Sequence, residues 1–405
     1  MKEREKPLPR LTVATGVISV LLVTSGFVGY FGIENLGEAL AFTGRFTGAL
    51  FVIASAVTAL SAVAAVDHWF RRSYEHSGLI VLTGTGIAFM VNFLLMITII
   101  RDGERSLPTI CWTALVAGSA WALYAVHRTG IPIPAPGKFG IAALVTTLVA
   151  VGDFGYSQLY EPYEQSTHVV LEADFGTPVR HPGIISLPVN VKIANNGEVG
   201  VYVLANEYQV LGRKAAVHRK ERERENWRSD AADGYPVSRY TEIKYFDLVR
   251  KAKFMEVFGE WLNPGEEVNV HHLVEVPTAA SYDIAQLQAF ALISRKDRMS
   301  IEGDLWDPVE LSWEDPARRG NESDFIEFRD RIHENNSVAE FTRYPRFLLI
   351  RQYVNEGVLP EVAVLREGED HREMSDEEFN DMVTRYGLIS ITTGWKETSL
   401  RAADR

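Results

Sequence analysis

Cysteine is nearly missing: the 405-residue chain has one, Cys111. A single thiol excludes an intrachain disulfide framework and any zinc site built from several cysteines. An excess of basic charge is missing too. Lys and Arg number 41 against 53 Asp and Glu, a formal net charge of -12. That balance argues against a general nucleic-acid binder, which needs a basic face for the phosphates. Catalytic signatures are also lacking, since no His-Glu-x-x-His, Gly-x-Ser-x-Gly or phosphate-cradling Gly-x-x-x-x-Gly-Lys-Ser/Thr occurs. Charge of either sign is scarce in one part only. Residues 1–160 carry 11 basic and 9 acidic side chains, and residues 161–405 carry 30 and 44. The chain therefore changes character near residue 160.

What fills the first part is apolar. Four runs are uncharged: Leu11–Ile33 over 23 residues, Phe46–Val66 over 21, Leu79–Ile100 over 22 and Pro108–Val126 over 19. A bilayer core of about 30 Å takes about 20 helical residues at 1.5 Å each. Each run fits that length, and core helices of water-soluble proteins rarely stay uncharged so long. A fifth stretch, 139–160, is apolar for 14 residues, meets Asp153, and continues to Tyr160. Its tyrosines Tyr156, Tyr160 and Tyr163 suit a headgroup level. The reading is five spans, at about 11–33, 46–66, 79–100, 108–126 and 139–160, with the lipid bilayer as solvent. With the tail inside, eight Lys and Arg (Lys2, Arg4, Lys6, Arg10, Arg71, Arg72, Arg128, Lys138) face the cytoplasm and three (Arg45, Arg101, Arg105) face out, in line with the positive-inside rule. Five spans place the rest of the chain outside the cytoplasm; four would place it inside.

Within the spans, Gly26, Gly29 and Gly32 recur every three residues, and Ala54, Thr58, Ala62 with Ser55 and Ala59 form small stripes. Small faces let helices approach closely in lipid. They serve packing within one bundle, with a homo-oligomer as the other use. No ionisable residue sits near a span centre, which disfavours a carrier. Asn92 reads as a hydrogen-bond partner between helices, and Cys111, beside Trp112, as a packing residue.

Beyond residue 161 the period changes to alternation. Strands are expected at His168–Phe175, Ile184–Ile193, Val199–Val210, Val268–Val276, Tyr282–Ser294 and Met299–Ile301, with Asn195-Asn-Gly197 as a tight turn joining the second and third as partners. Several short strands with Gly, Pro and Asn turns indicate an immunoglobulin-like all-β sandwich over 161–303. Residues 218–226, alternating Arg, Lys and Glu, read as a solvated helix or loop. A mixed α/β C-terminal region covers 304–405. In it, Asp324–Glu334 is predicted as an amphipathic helix, with Ser323 as N-cap and Phe325, Phe328 and Ile332 on one face. Arg346–Val354 is apolar enough to be buried. Ser375-Asp-Glu-Glu378 is a capping box opening a helix that Gly387 ends, and Leu388–Thr393 is a closing strand.

The candidates for chemistry are few. His271 and His272 are neighbours on a strand, so they point to opposite faces and do not share an ion. His168, His181 and His333 stand alone. Asp304, Asp307, Glu310, Glu314 and Asp315 crowd near Trp306 and Trp313 without calcium-loop spacing. Asn321 and Asn335 lie in glycosylation sequons. No catalytic set, cofactor or metal ligands emerge. The expectation is an integral membrane protein that presents an extracytoplasmic sandwich to a partner protein or envelope component. Two alternatives stand beside it: a membrane-bound enzyme in which Asp153, His168 and His181 converge at the bundle/sandwich junction, and a four-span sensor or effector with a cytoplasmic domain.

Overall fold

The computed structural model describes residues 10–129, 167–232, 237–301, 307–314, 324–354, 358–369 and 375–401, together with Leu305. The fifth expected span, 139–160, with Asp153, lies outside them. The chain divides into two units. One comprises Met1–Gln165, Asp297–Ser300 and His333–Pro345; the other comprises Ser166–Lys296, Ile301–Ile332 and Arg346–Arg405.

In the first unit the four uncharged runs are helices: α1 (Arg10–Glu38), α2 (Phe42–Val66), α3 (Ser77–Asp102) and α4 (Ser106–Arg128). All four are long and apolar enough to cross a membrane. Each extends beyond its uncharged run to take in charged residues at one or both ends. Pro108 sits in the first turn of α4, where its missing N–H breaks no helical bond. α2 passes into a π-helical turn, Asp67–Arg71, which Arg72 ends in the left-handed region at φ 55°. The Asp67 carboxylate accepts from the amides of Ser73 and Tyr74 at 3.1 and 3.0 Å and fixes that turn.

Small residues set the helix spacing. A Cβ on Gly32 would lie 2.8 Å from the Val52 amide nitrogen, and one on Gly48 would lie 2.8 Å from that of Leu36. The backbones of α1 and α2 thus touch where glycines face each other. Ser25 and Ser55 join the same pair, each hydroxyl donating to the other's carbonyl at 3.0 and 2.8 Å. Asn92 Nδ2 donates to Thr24 Oγ1 at 2.9 Å, a buried bond between α3 and α1. Large apolar side chains such as Leu22, Ile33, Ile53, Val63 and Ile100 stay exposed on the outer surface, as lipid-facing positions do.

The second unit is built of antiparallel sheets. The first sheet has β1 (Val169–Phe175), β2 (Val179–His181), β3 (Ile184–Asn195) and β7 (Glu267–Pro277), with β1 and β2 along one edge of β3 and β7 along the other. The second has β4 (Val201–Val217), β5 (Thr241–Ala252), β6 (Glu260–Leu262), β8 (Ile284–Arg295), β14 (Ile389–Thr392) and β15 (Lys396–Ser399), with β4 and β8 at its centre. A third holds β9 (Met299–Ile301), β10 (Glu310–Leu311), β11 (Phe325–Glu334), β12 (Arg346–Tyr353) and β13 (Glu361–Arg366). Short helices are α5 (Arg224–Ala232), α6 (Ser337–Thr342) and α7 (Asp376–Tyr386). The first two sheets share one buried cluster, in which Leu187, Val189, Val191 and Ile193 of β3 meet Val210, Leu287, Ala289 and Ile293. Sheet packs on sheet through alternate residues.

Two local expectations are overturned. Asp324–Glu334 is not a helix: β11 pairs with β12 from Phe325↔Tyr353 to Ile332↔Arg346. Phe325, Phe328 and Ile332 are buried as expected, and the strand sets Glu327 opposite Arg351 across the ladder, where its carboxylate accepts from Nε at 2.8 Å. Nothing local announces that partner. Second, β3 and β4 are not a hairpin. They lie in different sheets, because buried Asn195 bends the chain over: its Nδ2 donates to the carbonyls of Val199 and Leu262 at 2.9 and 3.1 Å and its Oδ1 accepts from Gly197 at 3.0 Å. The mixed-charge run is, as expected, a solvated loop that becomes helical at Arg224, with one residue as the exception. Arg222 is buried and pairs with Asp230 at 2.7 Å. The capping box at Ser375 and Glu378 is present, and Gly387 ends α7 at φ 62°. Arg346–Tyr353 is β12, largely buried.

Candidate functional site

The most elaborate polar construction of the first unit lies at one end of the bundle. α1 and α2 are joined by a turn at 39–41, and α3 and α4 by a turn at 103–105. Between β11 and β12 the chain leaves the sheet and forms α6, which seats against both turns. Asn336 caps α6 by accepting from the Ala339 amide at 2.9 Å. The next residue meets α1: the Ser337 amide and hydroxyl both donate to Asn35 Oδ1, at 2.8 and 2.7 Å. Leu40 N donates to Asn335 O at 3.4 Å, while the amides of Glu104 and Arg105 donate to Thr342 O at 3.1 and 3.0 Å. Arg343 Nε donates to Asp102 O, at the end of α3, at 2.8 Å, and its Nη1 pairs with Glu334 at 2.8 Å. Capping the last carbonyls of a helix with a guanidinium suits both hydrogen bonding and the helix dipole.

The apolar half of the contact is equally specific. Val338 belongs to the buried cluster of Val28, Phe31, Val91, Leu95, Ile99 and Trp112. Phe341 stands edge-on to Phe31 at 5.7 Å and to Trp112 at 6.4 Å, and the Arg105 guanidinium lies 5.5 Å from the Tyr344 ring centre. Trp112, at 1% exposure, is the largest fully buried side chain among the described residues. Its neighbour Cys111 is exposed on the outer face of α4 instead of packing inward within the chain.

In the second unit, a buried charged tract lies on β4, β5 and β8. Glu207 is 1% exposed. Burial pushes its carboxyl up to about 7, against the pull of Lys251. Lys251 Nζ stands 3.2 Å from Glu207 Oε1 and donates to Val358 O at 2.6 Å. Beside it, Gln209 Nε2 donates to Gln288 Oε1 at 3.1 Å, and Glu397 accepts from both Arg213 and Gln286. Tyr208 stacks on His272 at 5.0 Å between ring centres, where burial and the nearby Arg250 hold the imidazole below its ordinary range.

The residues singled out from the sequence are scattered. His271 and His272 point to opposite faces, and His271 Nδ1 meets Asn190 Oδ1 at 2.6 Å. His168 precedes β1, whose first pair is Val169↔Asn195, whereas His181 pairs with Ile184. They thus mark opposite ends of β3, roughly 35 Å apart at about 3.3 Å per residue, so they do not converge on one site. His333 lies 3.5 Å from Glu340. Asp304, Trp306, Asp315 and Asn321 lie outside the described residues. Among the described residues no three His, Cys, Asp or Glu side chains form a group able to hold a metal. The Asn335 carbonyl and Ser337 are both engaged in the α6 seat. Sequence reasoning missed Asn35, Val338 and Arg343. The signal available was an N-capped hexamer with two apolar residues, Val338 and Phe341, set among charges.

No family model and no curated protein matches the chain. Among solved structures, a Bordetella pertussis protein given the name ApaA aligns at 10% identity over 32% of this chain and 80% of its own, with a TM-score of 0.16. The sporulation control protein Spo0M of Bacillus subtilis aligns at 10% identity over 58% of this chain and 92% of its own, with a TM-score of 0.18. At those scores neither likeness carries an argument about fold or function.

Proposed function

We propose that the chain is a multi-pass integral membrane protein whose N-terminus is cytoplasmic and whose immunoglobulin-like sandwich is held outside the cytoplasm to bind a partner protein or envelope component. The observation that carries this reading is the seat of α6. Arg10 at the start of α1, the Asp67–Arg71 turn and Arg128 at the end of α4 share one end of the bundle. Asn35, Leu40, Asp102 and Arg105, which α6 engages, share the other. The chain leaves α4 at the first end, and residues 333–345 lie against the second, which supports an odd number of crossings between them. The apolar stretch 139–160 is the sequence's candidate for that crossing, and the surplus of Lys and Arg at the first end makes it the cytoplasmic one. The four-span reading with a cytoplasmic domain lacks this support.

Fusion of reporters to Arg405 tests the assignment. An alkaline phosphatase fusion is expected to be active and a green fluorescent protein fusion dark. The reverse pair of results would overturn it.

A further inference from the structure

The strands that lead into and out of residues 333–345 belong to the second unit, and the residues themselves belong to the first. A six-residue helix does not stand alone, since isolated helices shorter than about 12–15 residues are marginal in water. α6 takes its shape from the Asn336 cap and from its seat. The seat in turn is unfinished without α6: the buried cluster of Phe31, Leu95, Ile99 and Trp112 includes Val338.

We propose that residues 333–345 are a strap that closes this end of the bundle only while β11 and β12 are correctly paired, so that the helices register the state of that strand pair. Two features of the geometry argue for it. The ladder runs from Phe325↔Tyr353 to Ile332↔Arg346, and its last pair stands at the foot of the strap. One guanidinium then joins strand to helix: Arg343 binds Glu334, the last residue of β11, at 2.8 Å and the Asp102 carbonyl of α3 at 2.8 Å. The side chains of Arg343 and Glu334 are 5% and 8% exposed. A slip of β11 would withdraw Glu334 and leave a buried charge unpaired, a costly state that favours release of the strap. Toward the far end of the ladder the buried pair Glu327–Arg351 offers a lever that does not touch the seat.

Thiol labelling of the full chain in lipid nanodiscs, where both membrane faces are open to reagent, tests the strap independently of sidedness. In a Cys111→Ser background, a nearly isosteric Val338→Cys substitution reports docking. Its reaction with a water-soluble maleimide is expected to be about tenfold or more slower than in the SDS-denatured chain. Asn35→Ala, which removes the acceptor for Ser337, and Glu327→Ala, remote in the ladder, are each expected to raise the rate severalfold. Lys192→Ala, which removes an exposed ion pair with Glu267, leaves it unchanged. If Glu327→Ala does not fold, Glu327→Gln carries the same expectation with the side-chain shape kept. Labelling as fast in the folded chain as in the denatured one, or no response to the Glu327 variants, overturns the proposal.

Discussion

At the scale of single residues, Glu207 shows what burial does to a carboxyl group even beside an ammonium, Lys251, and the Gln352 side chain. Burial lifts it to about 7 despite Lys251. Because the folded value lies above the ordinary 4.5, the linked stability is fully present below about pH 4.5 and is lost as pH rises through about 7. At 1% exposure solvent screens the carboxyl little, and the size is roughly 3 kcal/mol. Thermal unfolding of the full chain between pH 5 and 8 is expected to show the loss, and Glu207→Gln to flatten that slope. An unchanged slope in the variant would assign the pH dependence elsewhere. Asn92 makes the complementary point in the bundle. Its carboxamide is buried and bonded to Thr24, so its polarity joins α3 to α1.

Among the elements, the helix pair α1–α2 depends most on what its side chains omit. Gly32 and Gly48 face each other's backbones, with imagined Cβ atoms at 2.8 Å from main-chain nitrogens. Rigid backbone cannot yield as a side-chain tip does, so Gly32→Leu is expected to force the helices apart. Overpacking of a tight core costs about 1–3 kcal/mol, and here the Ser25–Ser55 hydrogen bonds break as well. Measured as heat resistance of the detergent-solubilised protein, Gly32→Leu should lower the midpoint by several degrees. Gly26→Leu, at a position with nothing within 4 Å, should not. Equal effects would mean that the substitution acts through α1 itself and not through its approach to α2. The second-unit strands follow a different rule. β7 alternates exposed residues with half-buried and buried ones down its length and could be placed from its own sequence, whereas β11 forms by pairing with β12, which sets Arg351 opposite Glu327, 24 residues away.

At the scale of the whole molecule, the path of the chain through the bundle makes a prediction at each turn. Phosphatase fused after Gly103 should be active, as should the fusion at Arg405. Fusions after Ser73 and Thr129 should be inactive. Activity after Ser73 with silence after Gly103 would invert the orientation while leaving the bundle intact. Exchange of Arg71 and Arg72 for glutamine should weaken the preference, since juxtamembrane Lys and Arg set orientation.

By itself the sequence determined the features whose cause is local. Four uncharged runs become long apolar helices because a peptide group in an apolar setting must bond within its own segment. Ser375 and Glu378 start a helix because their side chains reach amides three residues away. Val268, Val270, His272, Val274 and Val276 share a face because strand residues alternate. Tertiary structure alone decided whatever depends on a partner distant in the chain. The spacing of Phe325, Phe328 and Ile332 suits a helix as well as a strand, and only pairing with β12 chooses between them. Asn195 crosses between sheets because Leu262 offers it a carbonyl. Asn35 and Ser337 come together across 302 positions. Such encounters are settled by which arrangement satisfies every buried polar group at once, and a window of neighbouring residues does not contain that condition.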